Sequence, residues 1–151
     1  MKLSELEKGY VVMVSPCYGE CNSERIKVGA MIVNVLDVSE GLVQIENQSM
    51  PPIFAFVDPK NISGIQLNDY VMEIIGFSPI GTKCPILNGS FTEVYEANIE
   101  GKKRYVIYDG DRYKYVRGAS AGVEEVLFVH DLQSLIKDFK VSKNSFANDL
   151  S

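Results

Sequence analysis

Residues 123–141 limit the fold more than any other stretch, because their hydrophobic period passes from that of a strand to that of a helix without an intervening loop. Val126-Leu127-Phe128-Val129 is a continuous apolar run containing β-branched and aromatic residues. Such a run fits a strand covered on both faces or lying near the centre of a sheet. Leu132, Leu135, Ile136 and Phe139 then recur at i, i+3, i+4 and i+7, while Gln133, Ser134, Lys137, Asp138 and Lys140 take the opposite face. Asp131 is placed as an N-cap or first-turn acid, and Lys137 and Lys140 sit where the helix dipole favours cations. A second helical stripe, Leu67, Tyr70, Val71, Ile74 and Ile75, has Asn68 or Asp69 to cap it and Gly76 to end it. Two helices with one apolar face each require a shared sheet to pack on.

The remainder of the chain reads as strands. Up to residue 66 we expect five short strands: 10–14, 26–38 with an interruption at Gly29, 42–46, 53–57 and 62–65. Residues 16–24, which carry Cys17 and Cys21, read as a loop, and Met50-Pro51-Pro52 forbids regular ladder pairing. Short strands joined by turns suggest a small SH3-like or OB-like barrel, with SH3-like preferred for the tight turn before the last strand. Residues 77–90, with two prolines and two glycines, read as a mobile loop. Residues 92–99, 103–108 and 112–117 form a meander turning at Glu100-Gly101 and Asp109-Gly110. The expected class is therefore α+β. An SH3-like β-barrel part spans residues 1–66, an antiparallel sheet with two helices on one face spans 67–142, and a polar, fraying tail spans 143–151.

Composition narrows the function. The 151 residues, 46% hydrophobic and 23% charged, are globular values, and the net charge of −5 argues against a wholly basic, polyanion-binding surface. No secretory h-region or membrane-length apolar run is present, and three cysteines make no disulfide framework. The expectation is a soluble, cytoplasmic protein.

Three motifs stand in order: Leu6, Gly9 and Val12 near the start, residues 65–77 (IQLNDYVMEIIGF), and residues 129–139 (VHDLQSLIKDF). The chain resembles a family of small uncharacterised proteins encoded in phage and prophage-like regions of gut anaerobes. The match is carried by Ile65, Leu67, Gly76, Phe77, Val129, His130, Leu132, Gln133 and Leu135. The resemblance implies a mobile-element context and no activity, cofactor or catalytic residue.

Among candidate sites, His130 with Gln133 one helical turn on could present a ring nitrogen to a ligand. No Ser, Cys or Asp pair is arranged around it, so a capping or carbonyl-bonding role is the preferred reading. Cys17, Cys21, Cys84 and His130 do not have zinc-knuckle spacing and read as free thiols and a structural histidine, with no metal and no cofactor implied. Asp109-Gly110-Asp111 is explained by a turn, being far short of a calcium loop.

The strongest hint is basic and aromatic. Residues 102–117 hold six cations against two carboxylates, a local +4 that leaves −9 elsewhere, with Tyr105, Tyr108, Tyr113 and Tyr115 interleaved. A two-residue Asp109-Gly110 turn would set Ile107 opposite Arg112 and Tyr105 opposite Lys114. One face would then present Lys103, Tyr105, Arg112 and Lys114, and the other, with Val106 and Tyr115, would pack on the helices. The expected function is a non-catalytic accessory protein that binds a protein partner through that first face. A nucleic-acid module using the same face is the alternative, and an enzyme centred on His130 stands behind both.

Overall fold

Three two-residue turns shape much of the backbone. Asn22-Ser23, Glu40-Gly41 and Glu100-Gly101 all have positive φ at both positions (52° and 67°, 51° and 80°, 53° and 78°). That is the type I′ conformation, whose twist matches the strands it joins. In the computed structural model, which describes residues 1–47, 53–141 and Phe146, each makes a tight antiparallel hairpin. The chain divides into two units, Met1–Ile65 with Lys140–Ser151, and Gln66–Phe139. No helix among the described residues is long and apolar enough to cross a membrane.

The first unit contains β1 (Val11–Val14), β2 (Cys17–Cys21), β3 (Glu24–Val28), β4 (Met31–Asn34), β5 (Asp37–Ser39), β6 (Leu42–Asn47), β7 (Ile53–Val57) and β8 (Ile62–Ser63). They form two open antiparallel sheets, β4-β1-β8 and β3-β2-β7-β6-β5, and not the closed barrel expected. The difference begins in residues 16–24. These are not a loop but β2 and the start of β3, folded back at Asn22-Ser23. The run 26–38 is in turn three strands, broken at Gly29-Ala30 and at Val35-Leu36. Met50-Pro51-Pro52 lies outside the described residues. Leu6, Val12, Val33, Val43, Ile45 and Val57 belong to one buried cluster, each such aliphatic contributing about 1.5–3 kcal/mol on transfer from water. The tail joins this unit. Val141 and Phe146 are buried, and the Asn34 side-chain amide donates to the Val141 carbonyl at 2.9 Å.

The second unit contains α1 (Asp69–Ile74), β9 (Ser78–Gly81), β10 (Glu93–Ile99), β11 (Lys102–Tyr108), β12 (Tyr113–Gly118), β13 (Gly122–Val126) and α2 (Val129–Leu135). Its sheet is β13-β12-β11-β10-β9, antiparallel throughout. The α+β class holds. Asn68 caps α1 by accepting the Val71 amide at 2.8 Å, and Gly76 ends it at φ 99°. The strand-to-helix junction is tighter than the apolar run suggests. Asp131 Oδ2 accepts the amides of both Leu127 and Phe128 at 2.9 Å, so α2 starts at Val129 and the strand stops at Val126. The helix also stops sooner, at Leu135. Phe139 follows a turn through Asp138 (φ 63°) and meets Phe77 edge-on at 5.8 Å. Residues 77–90 contain β9 and supply Cys84 and Leu87, which with Phe91 cover one side of the sheet.

Candidate binding surface

The basic hairpin can be placed residue by residue. Asp109-Gly110 is not a two-residue turn: the loop runs from Asp109 to Arg112, closing with Tyr108 opposite Tyr113. Asp109 causes this. Its Oδ1 accepts the amides of Asp111 and Arg112 at 3.0 and 2.9 Å, and its Oδ2 lies 3.1 Å from Lys114 Nζ. The two amides and then the ammonium hold this carboxyl down at about 2. The register moves by two residues, placing Ile107 opposite Lys114 and Tyr105 opposite Val116. A shift of two preserves the faces, so Tyr105, Ile107, Lys114 and Val116 do share one side.

That side is not an open platform. Tyr105 is 5% exposed and packs with Cys84, Val94, Ile107 and Val116, leaving no ring face for a ligand to stack on. Burial and then a hydrogen bond to Glu96 push its phenol above the ordinary range. The predicted cations are each held by a carboxylate. Lys103 lies 3.9 Å from Glu96, Arg112 lies 2.7 Å from Glu125 and 3.3 Å from Asp111, and Lys114 pairs with Asp109. Arg117 pairs likewise with Glu124. A local charge of +4 overlooks β10 and β13, whose glutamates flank the hairpin. The opposite face carries the buried Val106 and Tyr115 together with a tyrosine cluster. Tyr113 stacks on Tyr108 at 4.6 Å and lies 6.1 Å from Tyr95. Burial raises the Tyr95 and Tyr113 phenols, with Asp69 of α1 adding to both.

His130 is 6% exposed, its ring stacked on Phe128 at 5.4 Å and its Nε2 3.7 Å from Asp131 Oδ1. Gln133, one turn on, is half-buried. Cys17 and Cys21 lie in the first unit, Cys84 and His130 in the second, and the described residues hold no group of three or more metal-ligating side chains. A cleft of about 550 Å³ is lined by Cys84, Pro85, Ile86, Leu87, Asn88 and Ala119, with no charged side chain among them.

The open aromatic surface lies elsewhere, on the outer face of β3-β2-β7-β6-β5. In β2, Gly19 faces inward and is buried, so Tyr18 and Glu20 face outward. In β7, Ala55 and Val57 are buried while Phe54 and Phe56 point away from the core. Tyr18 is 51% exposed and Phe54 48%, and the Arg25 guanidinium lies over the Tyr18 ring at 3.8 Å. Four pairings run across all five strands: Arg25 to Glu20, Glu20 to Phe56, Phe56 to Gln44, and Gln44 to Asp37. The neighbouring outward positions include the pair Lys27–Tyr18, the pair Leu42–Ser39, and Phe54 beside Glu46. The sequence offered no signal for this face, since IFAFV is apolar throughout. Hydrophobicity alone would have buried the phenylalanines and exposed Ala55.

No protein-family model, no curated protein and no solved structure matches this chain.

Proposed function

We propose that the chain is a non-catalytic interaction module whose outer sheet face, built on Tyr18, Phe54 and Phe56, binds a protein partner. One observation carries this: two phenylalanines on β7 face outward while the alanine between them is buried. Water-exposed aromatics on one continuous surface are costly, and monomeric proteins keep such apolar patches small. Tyrosine and arginine, together with the other aromatics, are also the residues that dominate the energy of protein interfaces.

A protein partner suits the face better than nucleic acid. Arg25 and Lys27 are its cations, and Glu20, Asp37 and Glu46 its acids, so phosphates would meet more repulsion than attraction. The hairpin cations are the weaker contact, because Lys103, Arg112, Lys114 and Arg117 would each have to leave a carboxylate. A phage or prophage context is carried by the resemblance alone.

The test is capture by the immobilised full chain from a lysate of its source cells, comparing wild type with Phe54→Ser and Tyr18→Ala. Loss of a specific protein in both variants, with circular dichroism unchanged, is the expected result. Equal capture by all three chains would move the site off this face. Salt-sensitive binding of a labelled single-stranded oligonucleotide, abolished by the same changes, would replace the protein partner with nucleic acid.

A further inference from the structure

We propose that the outer face of β3-β2-β7-β6-β5 pairs with the same face of a second copy of this chain, about a two-fold axis running along β7. This rests on the reading of that face as a binding surface and names its occupant.

The argument is the symmetry of one row of side chains. Across the sheet, a single register level reads Arg25, Glu20, Phe56, Gln44, Asp37, with Phe56 on the central strand. Rotation by 180° about an axis parallel to the central strand keeps the level and exchanges the two edges of the sheet. Arg25 then lies over Asp37 of the second copy, Glu20 over Gln44, and Phe56 over Phe56. Each contact occurs twice, as an isologous interface requires.

At the next outward level Tyr18 falls over Leu42 and Lys27 over Ser39, while Phe54 meets its own copy at the other end of the strand. Phe56, Phe54 and the Tyr18–Leu42 pairs lie near the axis with Glu20 over Gln44 among them, and a cation meets a carboxylate at each rim. The other in-plane axis, perpendicular to the strands, would set Arg25 against Arg25 and Asp37 against Asp37. Charge selects the first axis.

The packing is that of an aligned β-sandwich, in which two twisted sheets stack about 10 Å apart with their strands within about 30°. Arg25 stacks on Tyr18, so its charge stays over the face rather than off its edge. Five strands about 4.8 Å apart and roughly five residues long cover about 400 Å² per copy, below the roughly 800 Å² per partner of a standard interface, so a weak, concentration-dependent dimer is expected.

Sedimentation equilibrium of the full chain, from about 1 to several hundred micromolar, tests the pairing. The expected result is a monomer–dimer equilibrium that Phe54→Glu and Phe56→Glu abolish while circular dichroism is retained. Arg25→Asp or Asp37→Arg alone should weaken the dimer about tenfold or more, and the double variant should recover it. A monomer throughout that range overturns the pairing. So does a dimer indifferent to Phe54→Glu, or a charge reversal without recovery. A wild type that stays monomeric while Phe54→Glu still loses a captured protein sinks the self-pairing and leaves the broader binding role standing. Loss of neither sinks both.

Discussion

Asp109 sets the hairpin loop through two amides and one ammonium, although the group is exposed. A carboxylate that accepts backbone N–H bonds is favoured over its acid form, which is why its pKa falls from 3.8 to about 2. The sign of the linkage follows. The unfolded chain binds this proton more readily than the folded one. The contribution to stability is therefore present above the unfolded value and disappears as pH falls through about 2. Carboxyl-detected NMR titration is expected to show Asp109 midway near pH 2. A midpoint near the ordinary aspartate value would mean that the loop does not hold in solution. Asp109→Ala should weaken the pairing of β11 with β12 at the loop end, read as faster amide exchange at Tyr108 and Tyr113.

At the scale of elements, β2 shows how close packing fixes where a face points. A Cβ on Gly19 would stand 3.0 Å from the Phe56 carbonyl oxygen and 3.1 and 3.3 Å from the side chains of Val57 and Val28. Two of these neighbours are buried valines and the third is backbone, so none retreats easily. Gly19→Val is therefore expected to cost about 1–3 kcal/mol, measured by urea unfolding. A neutral result would mean that the inner side of β2 is looser than the buried cluster implies. The same strand marks the limit of what the sequence disclosed. Both helices, the three-strand meander and the turn at Glu100-Gly101 followed from period and turn chemistry. Residues 16–24 did not, because Pro, Gly, Asn and Ser signal a loop until two of them are recognised as a type I′ turn between strands. The exposed aromatic face of the first unit was not legible for a related reason. Charge was counted along one hairpin, whereas a sheet surface is assembled across strands that sequence does not place side by side. Nor does an unbroken apolar run such as IFAFV reveal which alternate side chains face the core.

Across the whole molecule, the chain leaves its first unit near residue 65, builds a second, and returns. The division after Ile65 falls where the hydrophobic period changes from that of strands to that of a helix. The return was hidden. A single phenylalanine in a polar decapeptide has no period, yet Phe146 is buried in the structure and residues 140–151 belong with the first unit. The Asn34 bond ties Val141 to a strand laid down more than a hundred residues earlier. Such a non-local closure costs loop entropy, which only buried apolar surface can offset. Phe146→Ala should therefore cost about 3–5 kcal/mol, the range for emptying a buried aromatic site. The loss should also be uneven. Hydrogen exchange is expected to rise in β1 and β4 while the amides of β10 and β11 keep their protection, since local opening follows the unit that lost the contact. Equal loss in both sets would mean the two units unfold as one cooperative body. No loss in either would remove the tail from the fold of the first unit.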